Sequence, residues 1–317
     1  MDSETAKDKC MLALDYVMGN KVPRDPTYAA RLFEEVASEG YPNGQFGLAE
    51  LLVAGNGVSR DIPRAMELYR MSAAQDHPAS MFRLASFLME EGPDRDLDSA
   101  REYMIRCADA GMTMAYIVLG DIYFYGMGVE QDMQTAYGWY RRSAAEGDPA
   151  AMFKCGYMSE NGIGTRIDVP ASIGMFRQAA LRGVPEAAFQ MANLAYCGKI
   201  PGGRAECISW YEKCAELGYP AASFNMATMY LEGDGVEKDP AKAFELYKIV
   251  ADETNDADAL FILGRMYLEG DGVEKDLAKA FEFIGRAADA GDEIAMQLIQ
   301  NLRRRQNTQL INIDDIR

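Results

Sequence analysis

Histidine is nearly absent: the 317-residue chain has one, His77. That removes His-based metal clusters and leaves any Ser-His-Asp triad resting on a single residue between two helices, where a surface position is expected. No S-x-x-K occurs, which counts against a penicillin-recognising serine enzyme. The six cysteines include no C-x-x-C, so zinc and thioredoxin-type redox sites lack their spacing. Cations are in deficit, 32 Lys and Arg against 49 Asp and Glu, for a net charge of −17. A phosphate backbone would call for a basic stripe, so nucleic acid is not the expected partner. No run of about 18 apolar residues exists to span a membrane. The N-terminal stretch MDSETAKDKCMLALDYV has no apolar core of a secretory signal, and a cytoplasmic location is expected. No catalytic residue, metal or cofactor is expected from these absences.

What the chain has instead is self-similarity. Met229–Glu245, MYLEGDGVEKDPAKAFE, returns as Met266–Glu282 with a single change, Pro240 to Leu277, at a shift of 37 residues. A repeat array grows by stacking units, so chain length does not count domains. Gly40, Gly111, Gly147, Gly183, Gly218 and Gly291 each close an Ala-rich segment, with Asp76 and Thr254 in the matching slots elsewhere. Glycine past a helix end adopts the left-handed conformation without steric penalty. Between two apolar-periodic segments of each unit stands a second marker: Gly55-Asn-Gly57, Gly126-Met-Gly128, Gly162-Ile-Gly164, Gly233-Asp-Gly235 or Gly270-Asp-Gly272. An aspartate follows (Asp25, Asp61, Asp96, Asp132, Asp168, Asp239, Asp276) and reads as the N-cap of a second helix. These loops lack the D-x-[DN]-x-[DN]-G spacing of a calcium loop and never run into G-K-[ST].

The chain therefore divides into eight helix-loop-helix units: 5–40, 41–76, 77–111, 112–147, 148–183, 184–218, 219–254 and 255–291. Units three and six are degenerate, the sixth lacking the capping aspartate. A last helix, 293–305, would cover the open end of the stack, with Arg303, Arg304 and Arg305 complementing its C-terminal dipole. The tail 306–317 is expected to be mobile. Ala65, Ala100, Ala136, Ala171, Ala243 and Ala280 let the second helix approach its neighbours. Tyr69, Tyr103, Trp139, Phe176, Trp210, Tyr247 and Phe283 are expected to fill the space between. Cys107, Cys155, Cys207 and Cys214 fall in small or apolar slots and read as buried packing residues.

The pattern A-x-x-x-L-G-x-x-Y, then G-x-G-V-x-x-D, then A-x-x-W-Y-x-x-x-A-x-x-G is best seen at Ala115, Leu119, Gly120, Tyr123, Gly126, Gly128, Val129, Asp132, Ala136, Trp139, Tyr140, Ala144 and Gly147. It resembles the Sel1-like repeat, a relative of the tetratricopeptide repeat, over nearly the whole chain. The resemblance implies an all-α, right-handed superhelical solenoid, the first helix of each unit lining the concave side, serving as scaffold or adaptor for other proteins. Some relatives are secreted, rich in paired cysteines and described as β-lactamase-like. This chain lacks the regular cysteine pair and any nucleophile with a base.

By the same analogy, Phe46, Phe82, Phe153, Phe189, Phe224 and Phe261 form a ladder on the concave face, and one turn later stand Glu50, Ser86, Asp121, Tyr157, Asn193, Thr228 and Arg265. Aromatic residues at a groove centre are typical anchors for a bound segment. The candidate contacts are Phe82, Phe124, Tyr125, Phe153, Tyr157, Phe189, Tyr196, Phe224, Phe261 and Arg265, although the Phe ladder equally suits packing between adjacent helices. An acidic rim (Glu50, Glu90, Asp121, Glu160, Glu232, Glu269) would favour a basic partner or simply face solvent. The function expected is a non-enzymatic, monomeric adaptor binding a peptide or protein segment. A self-assembling repeat protein is the alternative, and a β-lactamase-like hydrolase the remote one.

Overall fold

The computed structural model describes residues 1–93 and 95–306, without the side chains of 302–306. Residues 307–317 of the expected mobile tail lie outside the described residues, as do the side chains of the triple arginine. Among the described residues there are seventeen helices and no strand. They fall into two compact units, Met1–Asp168 and Val169–Arg317. The first holds α1 (Ser3–Met18), α2 (Pro26–Ser38), α3 (Pro42–Ala54), α4 (Ile62–Ala73), α5 (Pro78–Met89), α6 (Leu97–Asp109), α7 (Met114–Tyr125), α8 (Met133–Ala145) and α9 (Pro149–Asn161). The second holds α10 (Val169–Leu181), α11 (Pro185–Tyr196), α12 (Gly203–Glu216), α13 (Pro220–Glu232), α14 (Pro240–Thr254), α15 (Ala257–Glu269), α16 (Leu277–Asp289) and α17 (Glu293–Gln306). Up to α16, odd-numbered helices are the first (A) helix of a repeat and even-numbered ones the second (B), and α17 follows the last repeat. Within each unit every helix packs on the helices before and after it in sequence.

Local chemistry sets the boundaries. Asp25, Asp61, Asp96, Asp132, Asp239 and Asp276 each accept a hydrogen bond from the backbone N–H three residues on, at 3.0 Å. The aspartate's own N–H donates back to helix A, as from Asp132 to the Tyr123 carbonyl at 3.0 Å. One residue thus starts helix B and closes the loop behind it. Repeat six has Gly202 at this place, with no side-chain cap. The left-handed slot after helix B has φ of 59° at Asp76 and 53° at Asn255. Thr254, expected there, is instead the last residue of α14, and the repeat is one residue longer at this point.

The second glycine of the G-x-G loop is required by a close approach. Gly57, at φ 76°, lies against the Pro26–Thr27 peptide at the start of the preceding repeat's helix B. A Cβ there would collide with backbone atoms, which cannot swing aside. Gly164 meets Met133 and Gly272 meets Pro240 in the same way. These contacts tie each loop to the repeat before it.

The core confirms most small-residue slots and corrects one register. Ala65, Ala100, Ala136, Ala243 and Ala280 are wholly buried, but in repeat five the slot is held by Ser172 rather than Ala171. The large slot of helix B is held by Tyr69, Met104, Tyr140, Phe176, Tyr211, Tyr247 and Ile284. Tyr103, Trp139 and Phe283, one residue earlier, are half-buried on the flank, and Trp210 also belongs to that flanking register. Each residue turns a helix by 100°, so a one-residue shift decides which of two adjacent aromatic side chains enters the core. Cys107 and Cys214 donate their thiols to the Pro78 and Pro185 carbonyls at 3.4 and 3.2 Å, as Ser72 does to Pro42 at 2.9 Å. They are serine equivalents in a repeated contact.

Candidate functional site

The residue one turn after the ladder phenylalanine is governed by a pairing rule. Where helix B carries a buried tyrosine, this A-helix residue takes its hydroxyl: Tyr69 to Glu50 at 2.5 Å, Tyr140 to Asp121 at 2.5 Å, Tyr211 to Asn193 at 2.9 Å and Tyr247 with Thr228 at 2.8 Å. A buried hydroxyl without a partner is unfavourable, which ties the two positions together. Where helix B carries Phe33 or Ile284, there is no hydroxyl, and the A-helix residue is Leu14 or Arg265, both exposed. In repeat three Met104 leaves Ser86 to bond the Phe82 carbonyl of its own helix.

A cation from the next A helix completes two of these pairs. Arg83 meets Glu50 and Lys154 meets Asp121, each at 2.7 Å. In repeat seven Asn225 donates to Tyr211 Oη at 2.9 Å. Burial first, then the acceptor, pushes the Tyr69 and Tyr140 phenols far above their ordinary range, and burial pushes Tyr211 up to about 12. Two of the six rim carboxylates, Glu50 and Asp121, are thus consumed internally, and Glu269 lies 3.6 Å from Arg265. As a landing strip for a basic partner the rim is depleted.

The ladder is half-buried. Phe46 packs between Tyr69 and His77 with ring centroids 6.1 and 5.3 Å away, Phe189 between Tyr211 and Tyr219 at 5.6 and 5.3 Å, and Phe224 on Tyr247 at 5.3 Å. Phe82 and Phe261 likewise lie half-buried against their units' cores. Phe153 is half-buried in α9. His77 is not the surface residue expected from its place in the sequence. Its Nδ1 lies 3.3 Å from the Ser80 N–H as the N-cap of α5, its ring is half-buried, and burial lowers its pKa.

The exposed aromatic candidates have distinct settings. Tyr125, 59% exposed at the end of α7, packs edge-to-face on Phe124 at 5.0 Å, and the Lys154 ammonium sits 5.8 Å from its ring. Tyr157, 42% exposed, projects from α9, the next A helix of the same unit. Tyr196 in the second unit, 43% exposed, carries a cation on its ring. The Arg204 guanidinium lies 3.5 Å from its ring centroid, donates to its backbone carbonyl and pairs with Asp234 at 2.9 Å. The repeat motif does not reveal this clamp, because it joins Arg204 to a loop residue 30 positions later. Arg265 is exposed on α15. Among the described residues no three His, Cys, Asp or Glu side chains come together to hold a metal, and no helix is long and apolar enough to cross a membrane.

Comparison with known proteins agrees with this architecture. The Sel1 repeat model matches eight times, at residues 9–41, 42–77, 78–112, 113–148, 149–184, 185–219, 220–255 and 257–292. A Sel1 repeat protein from Oxalobacter formigenes is similar at 27% identity and a TM-score of 0.76, covering 94% of this chain and 87% of its own. The c5321 protective antigen of uropathogenic Escherichia coli strains, which displays an SLR fold, is similar at 27% identity and a TM-score of 0.73, covering 92% and 70%. No curated protein sequence matches. Sel1 repeat proteins are in general protein-interaction scaffolds rather than enzymes. With eight consecutive matches and an all-α solenoid fold of the same kind, this chain belongs to the Sel1 repeat family.

Proposed function

We propose that the chain is a non-enzymatic adaptor that holds a peptide or protein segment against its A-helix face, with Tyr125 and Tyr157 as aromatic anchors. The observation that carries this reading is their exposure on successive A helices of one unit, beside a lysine fixed by Asp121. Each presents a large, stiff, amphipathic side chain, and such groups concentrate binding energy at interfaces. The buried free thiols suit a reducing compartment, in line with a cytoplasmic setting.

The test is capture from native lysate by wild type and by the Tyr125→Ala/Tyr157→Ala variant, both checked for folding by circular dichroism, followed by titration of the purified captured protein. Binding weakened at least about tenfold in the folded variant supports the reading, as expected for an interface hot spot. Equal affinity would remove these two anchors from the account.

A further inference from the structure

Next to the first repeat the bridge between A helices is absent, and a cavity stands in its place. The bridge from one A helix to the next needs an acidic or polar residue on the first and a side chain on the second, as in Glu50–Arg83 and Asp121–Lys154. At the α1/α3 junction the corresponding residues are Leu14 and Gly47. Neither end of the bridge exists, and the floor is set by Gly47 lying against the Phe33 ring. The vacated space is a pocket of about 300 Å³ walled by Met11, Leu14, Phe46 and Leu51. Met11 and Leu14 are 50% and 54% exposed, and Met18 continues their stripe.

The charges around this pocket differ from those of the chain as a whole. Its two charged lining residues are Lys7 and Glu50. Glu50 is already held by Arg83 and by the Tyr69 hydroxyl. Among the described residues Lys7 has no ion pair, and Arg83 is itself half-exposed. In a protein with net charge −17, the one charged lining residue left without an ion pair among the described residues is thus a cation, Lys7.

We infer that the α1/α3 pocket is a separate docking site for a partner protein segment that inserts a bulky apolar side chain and places a neighbouring carboxylate against Lys7. The volume suits one large side chain, being at the lower end for ligand pockets, which start at about 300 Å³. Met11 and Met18 can adapt to its shape, as methionine does at binding surfaces. Lys7 then supplies sign discrimination more than affinity. This site is distinct from Tyr125 and Tyr157, and its outcome does not depend on theirs.

The experiment uses full-length protein carrying ¹³C-methyl methionine, with the Met11 signal assigned through Met11→Leu. Two capped peptides are titrated at physiological ionic strength: acetyl-Asp-Asp-Leu-Phe-amide and acetyl-Lys-Lys-Leu-Phe-amide. The expected result is a saturable Met11 shift with the acidic peptide, about threefold to fivefold tighter than with the basic one, the scale of one exposed ion pair. Leu14→Trp, at an exposed position, should abolish the Met11 response by filling the mouth, and Lys7→Glu should reverse the peptide preference. The inference is overturned by no saturable Met11 shift with the acidic peptide. It is equally overturned by equal or stronger binding of the basic peptide. A Met11 shift that follows protein concentration alone would assign the pocket to a second copy of the chain and overturn it as well.

Discussion

Tyr140, wholly buried on α8, gives its hydroxyl to Asp121 on α7 at 2.5 Å, and Lys154 on α9 meets the same carboxylate oxygen at 2.7 Å. Three helices of two successive repeats are joined through one atom. The contact also decides what Asp121 is available to do, since a carboxylate accepting both bonds has little left for a ligand. Tyr140→Phe should destabilise the protein by about 1–2 kcal/mol, leaving Asp121 with Lys154. Asp121→Leu should cost more, about 2–3 kcal/mol, because it strands the buried hydroxyl. The double variant recreates the Leu14/Phe33 pair of repeat one. Its loss should be smaller than the sum by at least about 1 kcal/mol in urea denaturation. Strict additivity would mean the pairing is a coincidence of sequence.

Two glycines with similar backbone angles should respond differently to the same substitution. Gly57 and Gly40 have φ of 76° and 87°, but a Cβ on Gly57 would strike the Pro26 peptide, whereas one on Gly40 would meet nothing within 4 Å. Gly40→Ala should lose only the left-handed backbone preference, about 1–2 kcal/mol. Gly57→Ala adds a backbone collision between repeats and should lose at least about 3 kcal/mol. Paired denaturation curves would read the difference, and equal losses would mean the loop does not bind the preceding repeat tightly.

The helix boundaries were legible because glycine and aspartate act locally: a left-handed turn or an N-cap involves residues a few positions apart. The fold class followed from their recurrence. The rotation of helix B was not legible, since Trp139-Tyr140 and Trp210-Tyr211 offer two adjacent aromatic residues and only packing chooses between them. The surroundings of the candidate contacts were not legible for the same reason. Tyr157 and Tyr196 look alike in sequence and are equally exposed, at 42% and 43%, yet Tyr196 carries the Arg204 guanidinium on its ring. The acceptor role of Glu50 and Asp121 depends on a tyrosine 19 residues later, a relation visible only once both helices are placed.

Alkaline pH should unfold the protein earlier than its surface charge suggests. Burial pushes Cys107 and Cys207 up to about 11 and Cys155 and Cys214 to about 12, against 9.0 for a free thiol. A group with a raised folded pKa stabilises fully below its unfolded value and loses that contribution as pH climbs to the folded one. Between pH 9 and 11, therefore, the unfolded chain sheds protons that the folded chain keeps. Stability should fall by about 1.4 kcal/mol per pH unit for each such thiol. Melting temperatures followed from pH 7 to 11 should hold to pH 9 and then drop, and Cys107→Ser/Cys214→Ser should soften the decline. A drop of the same steepness in that variant would remove these two thiols as its source.

Repeat six, which has no capping aspartate, should depend instead on the Arg204 clamp. The guanidinium covers the Tyr196 ring, holds its carbonyl and reaches Asp234 in the loop of repeat seven, so α11, α12 and the following loop share one side chain. A stacked cation on tyrosine contributes about 0.5–2 kcal/mol, and a half-exposed ion pair up to about 1 kcal/mol. Arg204→Ala should therefore lose about 1–2 kcal/mol and speed hydrogen exchange in the loop 233–236. Arg204→Lys should recover little of this, because an ammonium cannot stack flat on the ring while meeting both Asp234 and the carbonyl. Full recovery by lysine would reduce the clamp to a simple charge pair. It would leave Tyr196 open as the contact residue its position in the sequence suggests.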